Sequence, residues 1–218
     1  MGNPIRFSMR SFVLMLALAP LASAYEFPLS ENSIRNAYFL GYDKNEDTQN
    51  FLKQYVQYPP MPKSGPHVAQ VEIQTPYEQV VVHASRVPGS YSAQQAALDY
   101  RAKPGSFVVR VRIDLTPSYS NILSNSSDAG GVQMRANDFW RAFTVKLMQN
   151  GKEIRTRAVS GVPLYLEGYG NWGQGVLSGA DIKVVYDPAL VTSSSTSIIV
   201  LTPDGDKVIT VFDLSKLQ

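Results

Sequence analysis

His67 and His83 are the only two histidines in this chain of 218 residues, and cysteine is absent. That pair limits the available chemistry. A nucleophilic serine needs an imidazole within hydrogen-bond reach, itself oriented by an acid. No G-x-S-x-G elbow occurs, and Ser160-Gly161 and Ser178-Gly179 read as ordinary loop dipeptides. His83 falls in the valine-rich run around Val80 and Val82, in the opposite phase to both. That phase predicts a surface or half-buried strand residue rather than a base. His67 follows Gly65-Pro66 and leads into the first strand. Two separated histidines without a thiolate supply too few ligands for a structural zinc. The chain is therefore expected to carry no catalytic residue set, no metal and no cofactor.

Two further groupings carry oxygen-bearing side chains. Asp43-Lys44-Asn45-Glu46-Asp47 begins like a calcium loop, with oxygen ligands at alternate positions. Such a loop needs glycine at its sixth position and a bidentate glutamate at its twelfth. Thr48 and Gln54 stand there instead, so a polar connection between two helices is expected. Paired carboxylates would serve glycoside hydrolysis. Glu167, set between Tyr165 and Tyr169, is the acid with the most aromatic surroundings.

The stretch 165–175, Tyr-Leu-Glu-Gly-Tyr-Gly-Asn-Trp-Gly-Gln-Gly, has the least ordinary composition of the chain. Glycines free the backbone there, and aromatics offer large contact area at low entropic cost. Tyr165, Glu167, Tyr169 and Trp172 are accordingly the candidate ligand-binding residues. The competing reading folds these rings back over the core, the commoner fate of large aromatics.

The elements that must position such a loop follow from periodicity. Leu29 to Val56 reads as helical, with Ser30 or Ser33 as N-cap and Ile34, Ala37, Tyr38 and Gly41 on one face. A second short helix fits Thr48 to Tyr55. Pro59, Pro60 and Pro62 then impose an extended connector. From Val68 the period changes to two. Ala69, Val71 and Ile73 alternate with polar residues, and Val80, Val82 and Ala84 continue as strand. The clearest strand is 107–115, where Phe107, Val109, Val111, Ile113 and Leu115 share one face and Arg110, Arg112 and Asp114 the other. A helix opens at Ser92 with Gln95 three residues on. Further strands are expected at 139–148, 153–159, 164–167, 181–186, 197–202 and 207–214. Asn150-Gly151 and Pro203-Asp204-Gly205-Asp206 supply turns.

About eight strands in this order predict a mainly β fold. The expected form is an antiparallel β-sandwich, Ig-like or jelly-roll-like, with a short N-terminal helical arm and one inserted helix. A βαβ crossover through the Ser92 helix is the alternative. The expected division is a signal peptide over 1–24, a helical arm and Pro-rich connector over 25–62, and the sandwich over 63–218. The runs 121–131 and 192–197 read as polar loops, the first containing the sequon Asn125-Ser126-Ser127.

The N-terminus sets the compartment. Arg6 and Arg10 precede the short apolar run 11–19, Pro20 breaks it, and Ala22-Ser23-Ala24 offers small residues to a signal peptidase. The run is half the length a membrane span needs. Cleavage after Ala24 would leave 194 of the 218 residues and begin the mature chain at Tyr25. The 20 basic residues then fall to 18, balancing the 18 acidic ones. A neutral chain without a basic cluster gives no electrostatic basis for nucleic-acid binding. The expected product is a periplasmic or secreted, soluble protein with no integral membrane segment, bacterial by its lack of disulfides. Its expected partners are the export machinery and signal peptidase, and then an envelope protein or carbohydrate. The leading functional expectation is a binding or structural module of the cell envelope or exterior. The alternative is a secreted hydrolase acting on a polysaccharide or envelope polymer.

Overall fold

In the computed structural model, residues 24–87, 89, 91–116, 119, 138–166 and 176–218 are described. The fold is mainly β, with two antiparallel sheets and four helices among these residues. The described residues begin with α1 (Glu31–Asp43) and α2 (Glu46–Lys53) as their first elements, followed by β1 (Val56–Gln57) and β2 (His67–Gln74). Two helices, α3 (Pro76–Arg86) and α4 (Ala93–Ala102), then precede β3 (Phe107–Asp114). The remaining strands are β4 (Thr144–Gln149), β5 (Lys152–Ile154), β6 (Thr156–Leu166), β7 (Val176–Tyr186), β8 (Ser195–Leu201) and β9 (Lys207–Asp213).

The first sheet runs β1-β2-β3-β7-β6 and the second β5-β4-β8-β9. Alternation along the strands decides their inner faces. Val71 and Ile73 of β2, Val109, Val111 and Ile113 of β3, and Ile182 and Val184 of β7 are buried. They share one core with Leu147, Ile154, Ile198, Val200 and Phe212 of the second sheet. The β4–β5 hairpin turns through Asn150 (φ 50°) and Gly151 (φ 74°), the two positive angles a two-residue turn requires. Gln149 closes the end of β4. Its side-chain amide donates to Thr192 O and accepts from Thr192 N, both at 2.9 Å.

Three helices build a second core of Leu29, Ile34, Ala37, Tyr38, Tyr77, Val81, Ala84, Ala96 and Tyr100. Helix α1 packs against α3 and α4, so the helices of the 25–62 segment lie on the rest of the molecule. Gly41 permits the contact: a Cβ there would sit 2.1 Å from the Val81 carbonyl oxygen. The Tyr100 hydroxyl accepts from Leu29 N at 2.9 Å, and the Tyr38 hydroxyl donates to Tyr91 O at 2.8 Å. Phe51 touches both cores.

The strand expected at 80–84 is instead part of α3, and two helices rather than one lie between β2 and β3. The valine run, with its high β propensity, suggested a strand. The helix wins because Thr75 caps it, its Oγ1 accepting from Glu78 N at 3.1 Å, and Pro76 fits the first turn. Tyr77, Val81 and Ala84 then face α1 at helical spacing. Since β2 and β3 are antiparallel neighbours, the βαβ alternative is excluded. The strand expected from Phe139 starts at Thr144, after a 3-10 turn over Phe139–Ala142. The partner expected over 153–159 splits between the sheets. Lys152–Ile154 pairs with β4, whereas the chain from Thr156 pairs with β7.

Candidate functional site

The outward face of the first sheet carries charge because β2, β3 and β7 each alternate with the inward apolar set. Register aligns the outward residues in rows across the strands. Glu72 stands opposite Arg110, Arg110 opposite Lys183, and Lys183 opposite Ser160. The next row is Gln70, Arg112, Asp181 and Val162. Opposed residues on one face lie about 5 Å apart at Cβ, close enough to act on one ligand.

Helix α3 rises directly from the end of β2 and forms the wall of this face. The Gln79 side chain fixes its first turn by donating to Gln74 O at 3.2 Å and to Ser106 O. The result is an open cleft of about 380 Å³. Glu72, Gln74 and Arg110 line it from the sheet, and Glu78, His83 and Arg86 from the helix. A second cleft of about 330 Å³ continues across the sheet past Asp181, Lys183, Ser160 and Val162. Gln74 and Arg110 belong to both clefts and make them one groove.

Glu78 is the unusual group. It is 4% exposed, and its Oε2 is sealed from solvent without a hydrogen-bond partner. Burial pushes its carboxyl up to about 8. The Glu72 carboxylate adds to the shift, and the guanidiniums of Arg86 and Arg110 oppose it. At neutral pH Glu78 is therefore mostly protonated. Glu72 is occupied differently, accepting amide hydrogens from Gln70 at 3.3 Å and from Gln74. Among the described residues, Arg86, Arg110 and Lys183 make no ion-pair contact. Arg112, by contrast, pairs with Asp114 at 3.2 Å. The groove thus holds cationic side chains whose charge no described residue neutralises by contact.

His83 lies on the exposed side of α3 rather than on a strand. It borders both this cleft and a neighbouring one between α3 and α4, where its ring meets Tyr91 edge-on at 4.8 Å. His67 is remote in role, its Nε2 lying 3.3 Å from Pro59 O. The loop that resembled a calcium site is spent on folding. Asn45 caps α2 by accepting from Thr48 N at 3.0 Å, and buried Thr48 donates to Leu40 O.

Of the candidate ligand-binding residues, Tyr165 lies on β6, 46% exposed. Glu167, Tyr169 and Trp172 fall outside the described residues, as do residues 1–23 and the whole 121–131 run with its sequon at 125–127. The helix side of the groove, Glu78, His83 and Arg86, is hidden in the sequence because the alternation of Val80, Val82 and Ala84 predicts a strand there. The Thr75-x-x-Glu78 spacing of a capping box was the available signal. Among the described residues, no helix is long and apolar enough to cross a membrane. In comparisons with known proteins the chain matches no family model, no curated protein and no solved structure.

Proposed function

We propose that this protein is an exported binding module of the cell envelope or exterior, and that it binds through the groove between α3 and the first sheet. The continuity of the two clefts through Gln74 and Arg110 carries this reading. A concave surface with convergent polar groups is the ordinary form of a ligand site. We read the two sheets as layers of a β-sandwich, supported by their shared core. Such a scaffold presents the groove on its outward side, away from the second sheet. Export rests on the N-terminal pattern of charge, apolar run and small residues.

Sedimentation with washed envelope fragments of the exporting host tests the proposal. The protein should co-sediment saturably without releasing reducing ends. Failure to co-sediment at any fragment concentration overturns it. Repeating the assay after protease digestion of the fragments separates a carbohydrate partner from a protein one.

One observation favours the alternative, a hydrolase of an envelope polymer. Glu72 and Glu78 line the same cleft, one of them protonated at neutral pH, which is the division of labour glycoside hydrolysis uses. Against it, a general acid must reach within about 3 Å of the leaving oxygen. Glu78 is almost wholly buried, with one of its oxygens sealed. Release of reducing ends that is lost in Glu78→Gln would establish the alternative.

A further inference from the structure

The groove has a charge asymmetry that bears on what it holds. The larger cleft is lined by two guanidiniums, Arg86 and Arg110, and by two carboxyl groups, Glu72 and Glu78. On formal charge the four would cancel. They do not cancel at neutral pH, because buried Glu78 keeps its proton. Glu72 is partly committed to the amides of Gln70 and Gln74. Neither arginine makes an ion-pair contact among the described residues. The two come from different elements, Arg86 from the last turn of α3 and Arg110 from the middle of β3, yet they line one concavity. Lys183, opposite Arg110, extends the positive side into the adjoining cleft, where Asp181 is the only carboxylate in the lining among the described residues. Guanidiniums converging from two elements fit planar or tetrahedral oxyanions, which each can grip through two parallel N–H donors.

We propose that the cleft between α3 and the outward face of the first sheet binds a small oxyanion, the carboxylate or phosphate of a ligand, gripped by Arg86 and Arg110. Glu78 lines the same cleft as an uncharged group within electrostatic reach of both cations. The groups facing it are Glu72 and Arg110 from the sheet, His83 and Arg86 from its own helix, and the Tyr55 hydroxyl at the sheet end. If Glu78 ionises, its carboxylate neutralises part of the arginine charge and repels the ligand. Affinity should therefore fall as pH rises through about 8. This inference deepens the binding-module reading and depends on it for the biological ligand. The two can fail separately: envelope co-sedimentation without oxyanion binding removes only the inference, and the converse removes only the reading.

The test is a titration of the purified, 15N-labelled protein, followed at the arginine Nε–H resonances. The probes are galacturonate, glucose 1-phosphate and, as neutral control, glucose. The expected result is a saturable shift at Arg86 and Arg110 with one or both charged probes, and none with glucose. Galacturonate alone would assign a carboxylate ligand, glucose 1-phosphate alone a phosphate, and both a general oxyanion site. Arg110→Gln and Arg86→Gln should each weaken binding at least tenfold. Arg112→Gln, on the same face but paired with Asp114, should leave it unchanged. Binding at pH 9 should be several-fold weaker than at pH 6.5, and Glu78→Gln should remove that difference. Absence of saturation with both charged probes, an equal response to glucose, or unaltered binding in both Arg110→Gln and Arg86→Gln overturns the proposal.

Discussion

Glu78 joins stability to the proposed binding within one side chain. Its folded value is about 8 against an ordinary 4.5, so the folded state binds a proton that the unfolded state has already released between those limits. Stability is therefore greatest below about pH 4.5 as far as this group is concerned, and it declines as pH rises toward 8. The decline is on the order of 5 kcal/mol, at 1.36 kcal/mol for each pKa unit. Glu78→Gln cannot ionise and keeps the same shape. Its melting temperature should exceed that of the native protein at pH 9 and match it near pH 5. Thermal denaturation at the two pH values checks this, and an equal gap at both would show that the residue does not titrate in this window. None of this was legible while 80–84 was read as strand. Burial of a carboxyl depends on what the fold lays over it, and Glu78 is buried in the first turn of α3, beside the cleft that this helix forms with the sheet.

Among the elements, α1 and α3 show how far local signals reach. The face formed by Ile34, Ala37, Tyr38 and Gly41 was readable from spacing alone, and those residues are the ones α1 buries. The hairpin at Asn150-Gly151 was equally plain, because two positive φ angles favour that dipeptide. In the α3 segment three successive valines favour a strand and conceal a capping signal that needs only Thr75, Pro76 and Glu78. Strand order lay beyond the sequence altogether. The row from Glu72 through Arg110 to Lys183 exists only because β7, far along the chain, pairs with β3. Two substitutions test the helix account. Gly41→Ala places a methyl against the Val81 carbonyl, and should cost about 1 to 3 kcal/mol by overpacking. Thr75→Ala removes the cap of α3 and should cost about 1 kcal/mol. Chemical denaturation measures both, and a neutral Gly41→Ala would mean that α1 and α3 are not in backbone contact.

The whole molecule is held by contacts that span its length. The Tyr25 ring packs edge-on against Phe107 at 5.9 Å, its hydroxyl donates to Pro188 O, and its backbone N donates to Leu214 O at 3.1 Å. Tyr55 sits in the same core and donates from its hydroxyl to Gln218 O. The expected 25–62 segment thus contributes to both hydrophobic clusters, through Tyr25 and Tyr55 in one and Ile34, Ala37 and Tyr38 in the other. Deleting those residues should abolish cooperative melting instead of leaving an intact β domain. A deletion variant that melts sharply would show the segment to be an appendage. Period-two alternation made the β-rich class legible, whereas the union of helices and sheets around two adjoining cores depends on long-range packing that no local pattern encodes.

The central claim is that the protein binds through the groove whose cations are Arg86, Arg110 and Lys183. The most direct measurement is the saturable co-sedimentation of the triple variant Arg86→Gln, Arg110→Gln, Lys183→Gln with envelope fragments, beside the native protein. All three side chains lie on the outward surface, and matching melting curves would verify that the fold is unchanged. The account predicts at least a tenfold loss of retention in the variant. Retention equal to that of the native protein would contradict it and place the binding surface elsewhere.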